Sequence, residues 1–206
     1  MVSILHAAVA TAWAARLLQL RGHVCGPRTF VRRLETDGPN TRGEEALFRF
    51  SSGYWLADFL YLLCAERDPM FLAHHAVCLS LWPASLAHRY GAGVLLVATC
   101  LGEASTPLMG LWWLAKAAAA PAWLQDSASR AFTAAFLPIR AGVLPIYASA
   151  LLHAAFSGRL DGYLGAVRAR VYAVVMAASV GGGLVWARAL IRGLLKANQK
   201  RALSAR

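Results

Sequence analysis

Apolar residues in this chain gather into helix-length runs separated by short polar turns. Six such runs predict six spans, at about Val2–Leu20, Leu47–Ala65, Met70–Ala87, Ala92–Ala115, Ser127–Phe156 and Tyr163–Leu195. Most are close to the roughly 20 residues that cross a bilayer, and the last two are longer. The runs are rich in Ala, Leu and Val on most faces, as lipid-embedded helices are, and strand alternation is absent. The expected fold class is therefore all-α, a multi-pass transmembrane helix bundle. Pro138 and Pro145 break the fifth run, and Pro107 is placed to kink the fourth.

The linkers are short, except for a polar, turn-rich loop from Arg21 to Arg49 that contains Gly38-Pro39-Asn40. Residues 1–196 form one transmembrane domain, and 197–206 read as a basic, disordered tail. Trp55, Trp82, Trp112, Trp113, Trp123 and Trp186 mostly fall toward run ends, where interfacial anchors belong. Ala178 and Gly182 have the spacing of close helix packing.

Composition supports the membrane reading. The chain has 206 residues, 58% hydrophobic and only 15% charged, with mean hydropathy +0.48. A soluble domain carries about 25% charged residues. The net charge of +11 is scattered over loops and helix ends, which fits anionic headgroups and gives no nucleic-acid stripe. Basic residues of the first loop and the tail nearly cancel, so charge does not orient the bundle. Cys64, Cys78 and Cys100 read as small core residues, and Cys25 is a candidate for acylation near the membrane.

The candidate chemistry lies between Arg49 and Lys116, extended by Arg140 and Tyr147. Ionisable groups at membrane depth are costly and mark a function or a bundle interior. Ser51, Tyr54, Asp58 and Tyr61 recur at spacings of three and four, on one helix face. They are either hydrogen-bonding glue or one wall of a polar cavity. His74 and His75 point about 100° apart on a helix, which argues against joint chelation of a zinc or haem iron. No metal or cofactor is implied. One histidine is a structural group, or the pair supplies a catalytic imidazole and its orienting neighbour.

Two pairings follow from counting. A tight turn joins the second and third spans, so Asp58 and His74 fall about 10 and 6 Å from it, and one imidazole is expected to meet the carboxylate. Glu103 and Arg140 fall at matching depth, roughly 18–20 Å from one side, and are expected to pair. Thr106 shares the Glu103 face.

These residues also form a pattern. Ser52-Gly53-Tyr54-Trp55-Leu56-Ala57-Asp58, Asp68-x-x-Phe71-x-x-His74-His75, Glu103-x-x-Thr106-Pro107 and Trp112-Trp113 resemble the TLC domain family. So do Arg140 with Leu144-Pro145-Ile146-Tyr147, and Ser3-x-x-His6-Ala7. The resemblance runs from Ser3 to about Lys196 and is nearest to the branch of TLC domain-containing protein 4. It implies six helices around an intramembrane cavity, an endoplasmic-reticulum or other endomembrane location, and a cytosolic C-terminus.

Ceramide synthases, which share the domain, follow their His-His pair with His-Asp and a further Asp. Here the corresponding region reads Ala98-Thr99-Cys100-Leu101-Gly102-Glu103. The leading expectation is thus a protein that binds or senses membrane lipid and serves lipid homeostasis. The alternatives are a His-dependent acyltransferase, with acyl-CoA as partner and His74, His75 and Asp58 as its machinery, and a transport or translocation accessory. Ser51, Tyr54, Glu103, Thr106, Arg140 and Tyr147 are the expected lipid-cavity or structural polar residues. Related proteins usually carry a helix before the domain, whereas this chain begins almost at the domain itself, so the alternatives are a naturally short chain and an incomplete gene model.

Overall fold

The computed structural model describes residues 2–22 and 26–204. Cys25, the acylation candidate, lies outside them. Every regular element described is helical. The long elements are α1 (Val2–Leu20), α3 (Arg42–Tyr61), α4 (Pro69–His88), α5 (Ala92–Glu103), α6 (Thr106–Ala117), α7 (Ala122–Leu137), α8 (Leu144–Phe156) and α10 (Ala166–Ser204). Two short helices, α2 (Pro27–Leu34) and α9 (Asp161–Leu164), lie in connections.

Among the described residues, four stretches are long and apolar enough to cross a membrane: Pro69–His88, Ala92–Ala117, Ala122–Phe156 and Ala166–Lys196. This falls short of the six expected. His6, Arg16 and Gln19 lower the hydropathy of α1, and the charged first half of α3 does the same there. Both nevertheless pack into the bundle. Ala7, Ala10 and Ala14 make a fully buried small-residue face on α1, and Leu47, Phe48, Ser51 and Trp55 make a buried, mostly large-residue face on α3. Large apolar side chains such as Leu60, Leu114, Ile146, Val171 and Val185 point outward, as lipid-facing positions require.

The fourth run breaks where Pro107 directs. Proline has no N–H and clashes with the carbonyl four residues back, here Glu103. α5 accordingly ends at Glu103, and α6 starts at Thr106. The fifth run starts earlier than expected, at Ala122, and widens to a π-helical segment over Pro138–Val143. Such segments recur at functional sites, and this one holds Arg140. A second π segment, Leu62–Glu66, closes α3. Asp68 caps α4 by accepting from the N–H groups of Met70 and Phe71. The sixth run is interrupted by Gly165 at φ +78°, and α10 then continues to Ser204, beyond the expected end of both span and ordered structure.

The first loop is more ordered than its composition suggests. Phe30, Val31 and Leu34 of α2 are buried, and Phe30 meets Tyr147 edge to face at 5.2 Å. Thr41 and Glu44 form a reciprocal capping box on α3. Arg21 donates to Asp37, Glu44 and the carbonyl of Pro39. Asn40, 5% exposed, donates to the carbonyl and hydroxyl of Ser85 and accepts from the N–H of Ala92. Tyr163 accepts from the N–H of Gly91 at 3.1 Å and donates to Asp37 at 3.2 Å. One polar knot thus ties the first loop, the α4–α5 turn and α9 together.

Three expectations change in the core. Trp55 and Trp82 are not interfacial anchors; they are buried and meet edge to face at 4.7 Å. Cys64 is exposed rather than a core residue. Gly182 has no neighbour where a Cβ would project, whereas Gly183 lies against the Arg140 stem. The small residue that matters for approach is therefore Gly183.

Candidate functional site

The polar residues that gather around α4 form two adjoining groups, divided by the face of α4 that carries the histidine pair. The first lies between α1, α3 and α4. Asp58 Oδ2 is 2.9 Å from His75 Nε2. His75 Nδ1 is 2.8 Å from the carbonyl of Phe71, one turn earlier on the same helix. Both ring nitrogens therefore face acceptors, and a neutral imidazole has only one N–H to give. The geometry closes when the pair holds one further proton, as imidazolium with carboxylate or as imidazole with carboxylic acid. With both nitrogens engaged, His75 is a locked group.

His6 completes this first group. It is 3% exposed, its Nε2 is 3.2 Å from Ser51 Oγ, and its ring stacks on Tyr54 at 3.9 Å. Tyr54 in turn lies 6.5 Å from the His75 ring. Of the predicted stripe on α3, Ser51, Tyr54 and Asp58 face this group, while Tyr61 is exposed and reaches Glu66. His6 was legible only through its place in the Ser3-x-x-His6-Ala7 motif. Reading α1 by hydropathy alone passes over it.

The second group surrounds a small cavity, about 60 Å³, between α4, α5, the π segment and α10. His74, Thr99, Glu103, Arg140, Tyr172 and Ser179 contribute its polar lining. His74 Nε2 is 3.8 Å from Cys78 Sγ. The Thr106 hydroxyl is within hydrogen-bonding reach of the Glu103 carboxylate.

Arg140 does not pair directly with Glu103 as expected. Among the described residues, no Glu103 oxygen lies within 4.0 Å of the guanidinium nitrogens. Arg140 Nη2 instead donates to the carbonyl of Gly102 at 2.5 Å. The helix break explains the substitution. The carbonyl of Gly102 would serve the N–H of Thr106 in a continuous helix, and the break frees it for another donor. Matching depth is nonetheless realised, because Glu103 and Arg140 line one cavity. Tyr147, by contrast, lies against α2 and is not among the cavity residues.

Among the described residues, three that line this cavity carry a buried side-chain atom without a protein partner: Trp82 Nε1, Thr99 Oγ1 and Arg140 Nε. Buried polar groups ordinarily find one in protein or ordered water. The cavity has room for a few waters or a small polar group, since one water needs about 10–15 Å³ of such space. It has no room for an acyl chain.

The carboxylates of Asp58 and Glu103 are matched by Arg140 and the shared proton of His75, so the two groups together can reach charge balance without bulk solvent.

The family model described as TLC domain matches residues 1–191. No curated protein and no solved structure matches the chain. The match takes in both polar groups and every candidate membrane-crossing stretch almost to its end: this chain is a multi-pass integral membrane protein and belongs to the TLC domain family.

Proposed function

We propose that the protein binds or senses a membrane lipid at the cavity beside His74, Glu103 and Arg140, and through it contributes to membrane lipid homeostasis. The single observation that carries this reading is the set of three unpartnered buried atoms, Trp82 Nε1, Thr99 Oγ1 and Arg140 Nε, on residues that line one small polar cavity at membrane depth. A polar headgroup fragment would give these atoms partners, with the chains outside in the bilayer. α1 and α3 cross alongside the four apolar stretches in this proposal, giving six passes. An endoplasmic-reticulum or other endomembrane location fits the resemblance to the TLC domain-containing protein 4 branch.

The test is lipid analysis of the purified protein. Co-purified lipid should be retained by the wild type and reduced in Arg140→Gln and in Thr99→Val. No retained lipid in the wild type, with no change in cellular lipid composition on deletion, would overturn the proposal.

A second reading has its own observation. The 2.9 Å contact between Asp58 and His75 is the geometry of a carboxylate–imidazole dyad, which favours a His-dependent acyltransferase using acyl-CoA. In that case His74, which lines the cavity, is the imidazole with capacity to act, and His75 with Asp58 positions it. Incubation with labelled acyl-CoA and a panel of lipid amines and alcohols decides: no transfer removes the enzyme.

A further inference from the structure

A larger pocket opens at the other end of α6. Its volume is about 460 Å³, within the roughly 300–1,000 Å³ of small-molecule sites, and it lies between α6, α7 and the last part of α10. Trp112, Phe132, Trp186 and Leu190 make its apolar walls, and Arg130 stands in its lining. Lys116, four residues past Trp112, holds its ammonium 4.2 Å from the centre of the Trp112 ring. Trp112 and Phe132 are themselves stacked, at 5.9 Å and 20°.

The position of this pocket limits its occupant. Trp112 lies five residues before α6 ends at Ala117, and Arg130 eight residues after α7 starts at Ala122. At 1.5 Å per residue these are about 8 and 12 Å from the connecting turn, the depth at which headgroups give way to acyl chains. Arg130 is exposed and long enough to lift its guanidinium toward the headgroup layer. Aromatic rings that are apolar at one end and polar at the other suit the same zone. Asp126 also lines the pocket, so with Arg130 and Lys116 the local sum is +1 rather than +2.

We infer that this pocket is a binding site for a phospholipid, its phosphate held by Arg130 and Lys116 and one acyl chain laid along Trp112, Phe132 and Trp186. This site is separate from the cavity beside His74, and the inference does not rest on the function proposed there. Arg130 lines the pocket and Lys116 sits over the ring of its Trp112 wall; a guanidinium and an ammonium are the donors a phosphate takes, and the aromatic floor suits an acyl chain rather than a free phosphate ion. The small net charge points to recognition of the phosphate itself rather than of excess negative charge.

The experiment is native mass spectrometry of the full chain in detergent. The probes are dioleoylphosphatidylcholine and dioleoylglycerol, which share chains and differ in the phosphocholine group. Phosphatidylcholine is zwitterionic, so the +11 charge of the chain does not by itself attract it. The wild type should retain phosphatidylcholine at least about tenfold better than dioleoylglycerol, the ratio one lost charge-assisted bond gives. Arg130→Gln with Lys116→Gln should remove that preference, and Arg130→Lys with native Lys116 should keep most of it. Arg49→Gln, which removes an exposed arginine that lines neither pocket, should leave it unchanged, which separates phosphate recognition here from a general loss of basic charge. Equal retention of both lipids by the wild type would overturn the inference, because the pocket would then read chains alone. So would an undiminished preference in the double variant. Retention of neither lipid would also overturn it, the pocket then being closed to lipid.

Discussion

His75 is bound at both ring nitrogens, by Asp58 on α3 at 2.9 Å and by the carbonyl of Phe71 on its own helix at 2.8 Å. The pair fastens α3 to α4, with the His75 side chain 5% and the Asp58 side chain 31% exposed. Removing one partner strands the other, while removing both leaves two neutral groups; buried pairs typically behave this way, with single losses of about 3–5 kcal/mol. Asp58→Asn and His75→Gln should each lower the folded fraction after detergent extraction. The double variant should recover part of the loss, with a coupling of about 1–3 kcal/mol. Strict additivity across the cycle would show that the contact does not form in the membrane.

Glu103 and Arg140 should couple more weakly. They share a cavity, but Arg140 spends its closest hydrogen bond on the carbonyl of Gly102. Arg140→Met frees that carbonyl whatever stands at residue 103. Adding Glu103→Gln should therefore rescue little of the Arg140→Met loss, and the coupling should be smaller than for Asp58 and His75 in the same extraction assay. A coupling as large as that pair's would make Glu103 the true partner of the arginine.

The Asp58–His75 contact was legible because a tight turn joins its two helices, so depth could be counted from a fixed point. The same counting put Glu103 and Arg140 at one level, but it could not see which carbonyl the α5–α6 break would release. Hydropathy hid other features. α2 carries Arg28, Arg32 and Arg33 around the buried Phe30, Val31 and Leu34, and a helix of eight residues is too short for that pattern to stand out in a polar loop. His6 looked like one polar residue in an apolar span. Only the packing of α1 against α3 turns it toward Ser51 and Tyr54.

The knot around Tyr163 should make the bundle sensitive to alkali. Burial raises the phenol above the usual tyrosine range of about 10, and the charge of Asp37 adds to the rise, while the Gly91 N–H and Arg21 pull the other way. The folded state thus keeps a proton that the unfolded chain gives up. That contribution is fully present below about pH 10 and is lost as pH climbs toward the folded value. Arg21 stays charged throughout: burial opposes its charge, but the hydrogen bond to Glu44 and the nearby Asp37 outweigh it and raise its pKa. Thermal unfolding between pH 8 and 11 should show a steeper loss in the wild type than in Tyr163→Phe. The variant should also be less stable at pH 8, by about 1–3 kcal/mol, because the buried Gly91 N–H loses its acceptor. Identical pH slopes would mean that Tyr163 does not titrate with unfolding.

The packing of α1 against α6 gives the sharpest structural test. A Cβ built at Gly110 would overlap Ile4 Cγ1 and come within 2.9 Å of its Cδ1. Ile4 is two residues into α1, and Gly110 sits a little beyond the kink at Pro107. This contact therefore fixes where the N-terminal helix lies relative to the half-helix beyond Glu103. In a helix interior, replacing glycine by alanine normally stabilises by about 0.8–1.0 kcal/mol. Here the sign should reverse, since overpacking a close contact costs about 1–3 kcal/mol. Gly110→Ala should therefore reduce the folded fraction after extraction. Ile4→Ala, which removes both overlapping atoms, should restore it in the double variant to at least the level of Ile4→Ala alone. The helix-propensity gain then appears without the clash. If Gly110→Ala proves stabilising in the native background, α1 does not approach α6 this closely and the position of the N-terminal helix must be redrawn.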